Sequence, residues 1–460
     1  MIEPLPEVAL WIHEANADER QAEIRSLCDT AAATGLNALI LQVRTSTDAL
    51  YESKLEPWSE YLTGTQGQHP GYDPLAVWIT EAKARGLELH AWFNPYRSRH
   101  STAKSAVADS HVSRTHPEWV KRYGDQLWID PGEPAAAEHT LAVCRDLLSR
   151  YAVDGLHIDD YFYPYPVQDA ARQEVDFPDE LSWSRYLSQS GRLTRPDWRR
   201  ENVDRLVERL HALVRELRPA ARVGISPFGL GRPDRRPAGI SGFSQYDKLF
   251  ADVERWLEEG WMDYLAPQLY WPIDRKEQAF EVLLDYWLAQ NRQSRHVWPG
   301  LYTSRVGAAT QPWSASEVVN QIAVARSRAA STGQVHFSMA ALMKDADGIA
   351  TALKKGPYAQ AALVPTSPWL NRADSGASAA PPTAPPLAPK LRLEGSQLRI
   401  LPTDASPPSS MGPVLWTLWS WRESGWQLQI QPRQQNVWRL PAGVTRGTGS
   451  SAHPFASRRA

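Results

Sequence analysis

The sequence predicts an α/β fold, a (β/α)8 TIM barrel with long rim insertions and a small β module after it. Three observations carry that expectation. Eight short apolar runs alternate with amphipathic helical stretches over about 350 residues. Most runs are apolar on both faces, as parallel strands covered by helices must be. No Gly-x-Gly-x-x-Gly follows the first run, which removes the usual dinucleotide-binding open sheet.

In chain order, strands are expected at residues 8–13, 38–44, 88–95, 155–162, 222–228, 263–271, 297–302 and 334–340. Helices are expected at 19–34, 74–85, 133–151, 203–217, 247–259, 275–291, 315–331 and 345–354. The clearest helix carries Val203, Leu206, Val207, Leu210, Leu213, Val214 and Leu217, a stripe with one buried face, and Pro219 ends it. Residues 45–72, 98–131 and 163–200 are long insertions after the second, third and fourth strands. Each follows a strand and precedes its helix, so each belongs to the C-terminal rim, where barrel enzymes keep their active sites.

The barrel is expected to take residues 1–364. A Pro/Ala/Ser-rich linker follows over 365–389. Residues 390–441 alternate apolar and polar, and Leu415-Trp-Thr-Leu-Trp-Ser-Trp421 and Trp426-Gln-Leu-Gln-Ile430 flank Glu423-Ser-Gly425 as a β-hairpin would. The basic tail, 442–460, is expected to be disordered.

Composition excludes several classes. Fifty basic and 52 acidic side chains leave a net charge of -2, so bulk electrostatics predicts neither a nucleic-acid nor an anionic-membrane partner. Two cysteines, Cys28 and Cys144, make no disulfide framework, and no Cys-x-x-Cys metal spacing exists. No run approaches the roughly 18–20 apolar residues of a membrane span. The chain enters an apolar run almost at once, without the order of segments that marks a signal peptide. No cofactor is expected. The 20 Trp and 16 Tyr are many for this length, and aromatic faces match the C–H faces of pyranose rings.

The chemistry is expected to centre on Val153-Asp-Gly-Leu-His-Ile-Asp-Asp-Tyr-Phe-Tyr-Pro164. Leu156 and Ile158 alternate with His157 and Asp159, so the polar pair should face the barrel interior. Asp159, Asp160 and Tyr161 then emerge at the strand's C-terminal end. Two adjacent carboxylates disfavour joint ionisation and raise one pKa, which is what a general acid needs. Asp160 and Asp159 are therefore the catalytic candidates. The substrate-binding candidates stand at the ends of other strands. They are Gln268, Tyr270 and Trp271, then Trp92, Asn94, Tyr96 and Arg97, and Arg44, with His157 and Tyr161 beside the Asp pair. Ser226 lacks the Gly-x-Ser-x-Gly context of a nucleophilic serine. His90, His157 and Asp159 are the set from which a metal site would have to be built.

At these motifs the chain resembles the glycosyl-hydrolase-like 10 family of bacterial envelope barrels. The resemblance rests on Leu41-Gln-Val-Arg44, on Gly86-Leu-Glu-Leu-His-Ala-Trp-Phe-Asn-Pro-Tyr-Arg97, and on segments 53–64, 70–75, 154–164, 197–203, 224–229 and 263–271. It covers roughly residues 8–340. It implies a barrel acting on peptidoglycan glycan strands, in some members strands stripped of stem peptides, and an exported or lipid-anchored protein. Residues 154–161 also look like the strand-four signature of family 18 chitinase-type barrels. Asp159 would match the Asp that orients the acetamido group, whereas the Glu acid of that signature falls at Tyr161.

The leading expectation is thus a glycoside hydrolase acting on an N-acetylhexosamine-containing cell-wall glycan. The alternatives are a non-catalytic glycan-binding barrel and a metal-dependent polysaccharide deacetylase.

Overall fold

A computed structural model describes residues 17–371 and the strand segments 390–394, 397–401, 415–422, 425–432 and 437–439. The expected first strand, 8–13, the tail, 442–460, and residues 372–389 of the expected linker lie outside the described residues.

Six parallel strands pair neighbour to neighbour: Ala38–Arg44, Glu88–Phe93, Gly155–Ile158, Arg222–Ile225, Tyr264–Leu265 and His296–Val297. Gly300–Leu301 then pairs in parallel with Val335–His336, and Gln268 bridges Phe228 on one side and Gly300 on the other. Together with the helices between them, these strands are the α/β architecture of a TIM barrel.

Several strands are shorter than their apolar runs. Pro227, Pro267 and Pro299 interrupt three of them. Proline brings no N–H to a ladder, so regular pairing stops and single bridges take over toward the rim. The helices Ala17–Thr34, Pro74–Ala84, Pro134–Arg150, Phe280–Gln290 and Ala315–Arg326 fall where periodicity places them. Arg195–Leu217 starts eight residues before the apolar stripe, because Thr194 caps it by accepting from the Asp197 amide and a proline occupies its first turn. Asp73 caps Pro74–Ala84 in the same way, accepting from the Leu75 and Ala76 amides.

Alternation sorts the strand residues. Leu39, Leu41 and Val43 join the core between sheet and helices, while Ile40 packs inside the barrel with Trp92, Tyr264, Ala266 and Trp298. A chain of polar side chains also runs up the interior. Glu88 meets His90 Nε2 at 3.2 Å, and His90 Nδ1 meets the Tyr264 hydroxyl at 2.9 Å. That hydroxyl is also 2.9 Å from His157 Nδ1, and His157 Nε2 is 2.9 Å from Ser226 Oγ. Burial pushes the His157 pKa well below its usual value, so the ring is neutral. Gly224 makes room for this arrangement: a Cβ there would overlap the Tyr264 ring. Gly224→Ala is therefore expected to destabilise the protein by about 1–3 kcal/mol through overpacking, read as a lower urea midpoint.

The floor of the barrel extends beyond residue 364. Arg222 binds Glu88 at 2.6 Å, Ser367 Oγ at 2.9 Å and the Pro365 carbonyl at 3.0 Å, and Trp369 Nε1 donates to Asp263 at 2.7 Å. Residues 365–369, which composition assigns to the linker, thus lie against the strand starts.

Within residues 98–131, Val120–Tyr123 and Gln126–Ile129 form a hairpin that Arg97–Arg99 joins as a third antiparallel strand. Farther on, Gln397–Leu401 pairs with Lys390–Glu394 and Val437–Arg439, and Leu415–Arg422 pairs with Gly425–Pro432 in a hairpin that sets Trp421 opposite Trp426.

Candidate active site

The site forms where the strand Gly155–Ile158 ends. Its ladder stops at Ile158, so strict in–out alternation no longer governs the next residues. Asp159 and Asp160 are both buried, at 3% and 5% exposure. The Tyr165 hydroxyl donates to Asp160 Oδ2, and the Gln268 side chain also hydrogen-bonds this carboxyl. Burial raises the Asp160 pKa; Tyr165, Gln268 and the charge of Arg97 oppose that rise without cancelling it. The result is a carboxyl that keeps its proton to higher pH than an ordinary Asp. Asp159 Oδ1 accepts from the Tyr161 amide at 3.3 Å.

Neighbouring strand ends hold the rest. Asn94 is wholly buried, and its Oδ1 accepts from the Arg97 amide at 2.9 Å, fastening the turn that carries Arg97. The Arg97 guanidinium donates to the Thr45 carbonyl at 3.0 Å and lies 4.9 Å from the Tyr161 ring centre. Gln268 Nε2 donates to the Ser226 carbonyl at 3.0 Å, which orients its amide toward Asp160.

Half-buried aromatics continue from this point. Tyr165 stacks on Phe243 at 5.2 Å, Phe243 meets Phe228 at 5.0 Å, and Phe228 meets Trp271 at 5.7 Å. Tyr270 stacks on Tyr302 at 4.8 Å and on Phe337 at 5.7 Å.

The structure therefore brings together Asp159, Asp160, Tyr161, Arg97 and Gln268, with Tyr270 and Trp271 beyond Gln268. It places other candidates beneath them. His157 and Trp92 are buried in the interior layer below, with ring centres 6.3 Å apart. Tyr96 is 1% exposed, and burial pushes its phenol well up. Arg44 is wholly buried and binds Glu56 and the carbonyls of Asn94 and Pro95, so it supports the Asn94 turn from behind. Sequence reasoning missed Tyr165, Phe243, Tyr302 and Phe337. Tyr302 was findable, since it closes the expected strand 297–302 at the rim.

The metal-ligand candidates do not converge. Every ring nitrogen of His90 and His157 already has a protein partner, and both rings address the same Tyr264 hydroxyl. Among the described residues no group of three His, Cys, Asp or Glu side chains is arranged to hold a metal ion. Nor is any described helix long and apolar enough to cross a membrane.

Comparison with known proteins gives the family and the fold. The family model described as glycosyl hydrolase-like 10 matches residues 8–317. Glycosyl hydrolase YngK of Bacillus subtilis (strain 168) is 39% identical over 361 residues, covering 77% of this chain and 70% of YngK. Glycosyl hydrolase DigH of Escherichia coli (strain K12) is 34% identical over 281 residues, covering 58% of this chain and 62% of DigH. Among solved structures, the PgaB (BpsB) glycoside hydrolase domain from Bordetella bronchiseptica matches with a TM-score of 0.51 at 14% identity. That match covers 75% of this chain and 95% of the domain, and at such identity it speaks to the fold.

Proposed function

The chain belongs to the glycosyl hydrolase-like 10 family, and from that premise we propose that it hydrolyses glycosidic bonds in an N-acetylhexosamine-containing cell-wall glycan. The observation that carries this reading is the buried Asp159–Asp160 pair at the C-terminal end of a barrel strand, where burial raises the pKa of one member above that of an ordinary Asp. Asp160 is the general acid. Asp159 orients or tunes its partner, and Arg97 balances the charge of the pair. Gln268, Tyr161, Tyr270 and Trp271 hold the sugar. Peptidoglycan strands, including strands without stem peptides, are the substrate we favour, and the bacterial envelope the location. Both follow from the family resemblance.

A second reading, a barrel that binds glycan without cleaving it, draws on the aromatic rim. Mass spectrometry of peptidoglycan glycan strands, with and without stem peptides, separates the two. Shortened strands after incubation support hydrolysis, and intact strands retained by the protein support binding alone. Under either reading, Tyr302→Ala should weaken retention of glycan strands by about five- to tenfold in equilibrium binding, the loss expected for one ring contact.

A further inference from the structure

We propose that Tyr165, a residue outside every motif of the strand ends, is the positioning residue that fixes the Asp160 carboxyl for proton transfer. The inference rests on the reading of Asp160 as general acid and deepens it.

Three features make Tyr165 suited to this. Its loop is fastened on both sides. Trp128 Nε1 donates to the Phe162 carbonyl at 2.9 Å, Phe162 packs edge-on against Trp256 at 4.9 Å, and the Val167 amide donates to the Tyr123 hydroxyl at 3.3 Å. Its ring is stacked on Phe243 and meets Tyr161 edge-on at 5.9 Å, so the phenol cannot swing freely. Its hydroxyl stays a donor, because burial and the neighbouring Asp160 charge both push its pKa up.

The step is simple to balance. Asp160 gives its proton to the glycosidic oxygen as the bond to the anomeric carbon breaks. Water supplies the hydroxyl to that carbon, and its remaining proton restores the acid. The carboxylate left behind accepts hydrogen bonds from Tyr165 and Gln268, so both donors favour the state that proton transfer creates. The ionisable groups around Asp160 are Asp159 and Tyr161 at its own strand end, Tyr165 on the following loop, and Arg97 from the neighbouring strand end. Arg97 stabilises the same carboxylate from a distance. The hydrogen bonds from Tyr165 and Gln268, with one from the Asp160 backbone amide, fix its orientation.

Tyr165→Phe keeps the ring stack and removes only the hydroxyl, so the loop should stay folded. Losing a donor to the charged form raises the pKa of the acid. The acid works protonated, and kcat/KM falls as pH rises through its pKa. In the variant the alkaline limb of kcat/KM on glycan strands should therefore move up by about one pH unit. The carbon-13 titration of the Asp160 carboxyl, identified by its loss in Asp160→Asn, should move up by the same amount. This second reading needs no turnover. A carboxyl midpoint that moves, in a protein that cleaves no glycan, shows that Tyr165 sets the Asp160 carboxyl but removes the hydrolase reading, and with it the role in proton transfer. Cleavage by parent and variant with both limb and midpoint unmoved overturns the positioning role and leaves the hydrolase reading standing.

Discussion

Asp160→Asn is expected to slow glycan cleavage by about 10²–10⁴-fold, the scale of a lost general acid. The substitution is close to isosteric. The Asn carbonyl oxygen can still accept from Tyr165, so the pocket keeps its shape while the transferable proton is gone. Strand binding should survive, because Tyr270, Trp271 and the aromatic rim are untouched. Stability should be unchanged or slightly higher, since a buried ionisable group has been replaced by a neutral one. Asp159→Asn should also lower turnover, through orientation and charge rather than through the proton itself. Initial rates on purified glycan strands, set beside thermal midpoints, check all of this. Parent-like turnover in both variants would remove the acid assignment from this strand altogether.

Much of the barrel was legible because buried parallel strands leave a plain signature. The run Ala38-Leu-Ile-Leu41 is apolar on both faces, and the stripe from Val203 to Leu217 can only be a helix with one covered side. Strand ends were less legible. The runs through Pro227, Pro267 and Pro299 stay apolar past the point where the ladder fails, since apolarity reports burial and proline removes the hydrogen bond. Composition likewise misjudged residues 365–369. Nothing in a Pro- and Ser-containing stretch announces that Ser367 and Trp369 bind charged groups at the start of two strands.

For the site, alternation gives a face but not a depth. It pointed His157, Trp92 and Asp159 inward alike, yet only residues at the last turn of the strand reach the rim, and the rest make the interior layer. Asp160 became accessible to Gln268 because the ladder ended one residue before the pair. Tyr165 was hidden for a related reason. It lies in a loop, where no period relates a residue to its neighbours, and its partner five residues earlier is set by the path of the chain alone.

Arg44→Leu is expected to cost about 3–5 kcal/mol of stability, although Arg44 need never touch a substrate. Its guanidinium is fully buried and binds Glu56 at 2.6 and 2.8 Å, the Asn94 carbonyl at 2.6 Å and the Pro95 carbonyl at 3.1 Å. Removing it strands a buried carboxylate with only His139, 3.1 Å away, as a charged or polar partner from that cluster. Burial by itself would raise the Glu56 pKa, but Arg44 and His139 overcome burial and take it from 4.5 to about 2. The sign follows. A carboxyl whose folded pKa lies below its unfolded one contributes stability above the unfolded pKa and loses it as pH falls. The pair should therefore stabilise fully above about pH 5 and weaken progressively toward pH 2. Urea denaturation at pH 7 should show the whole loss in Arg44→Leu, and the gap from the parent should narrow near pH 3. Arg44→Leu with Glu56→Leu should recover part of the loss, because no unpaired charge remains. A loss below about 1 kcal/mol at pH 7 would mean that solvent reaches Glu56 and the burial argument is wrong. If the loss is as large as expected, activity should fall as well. The Asn94 turn that Arg44 supports is the one that aims Arg97 at the Asp pair, so this ion pair beneath the rim helps set the electrostatics of the acid above it.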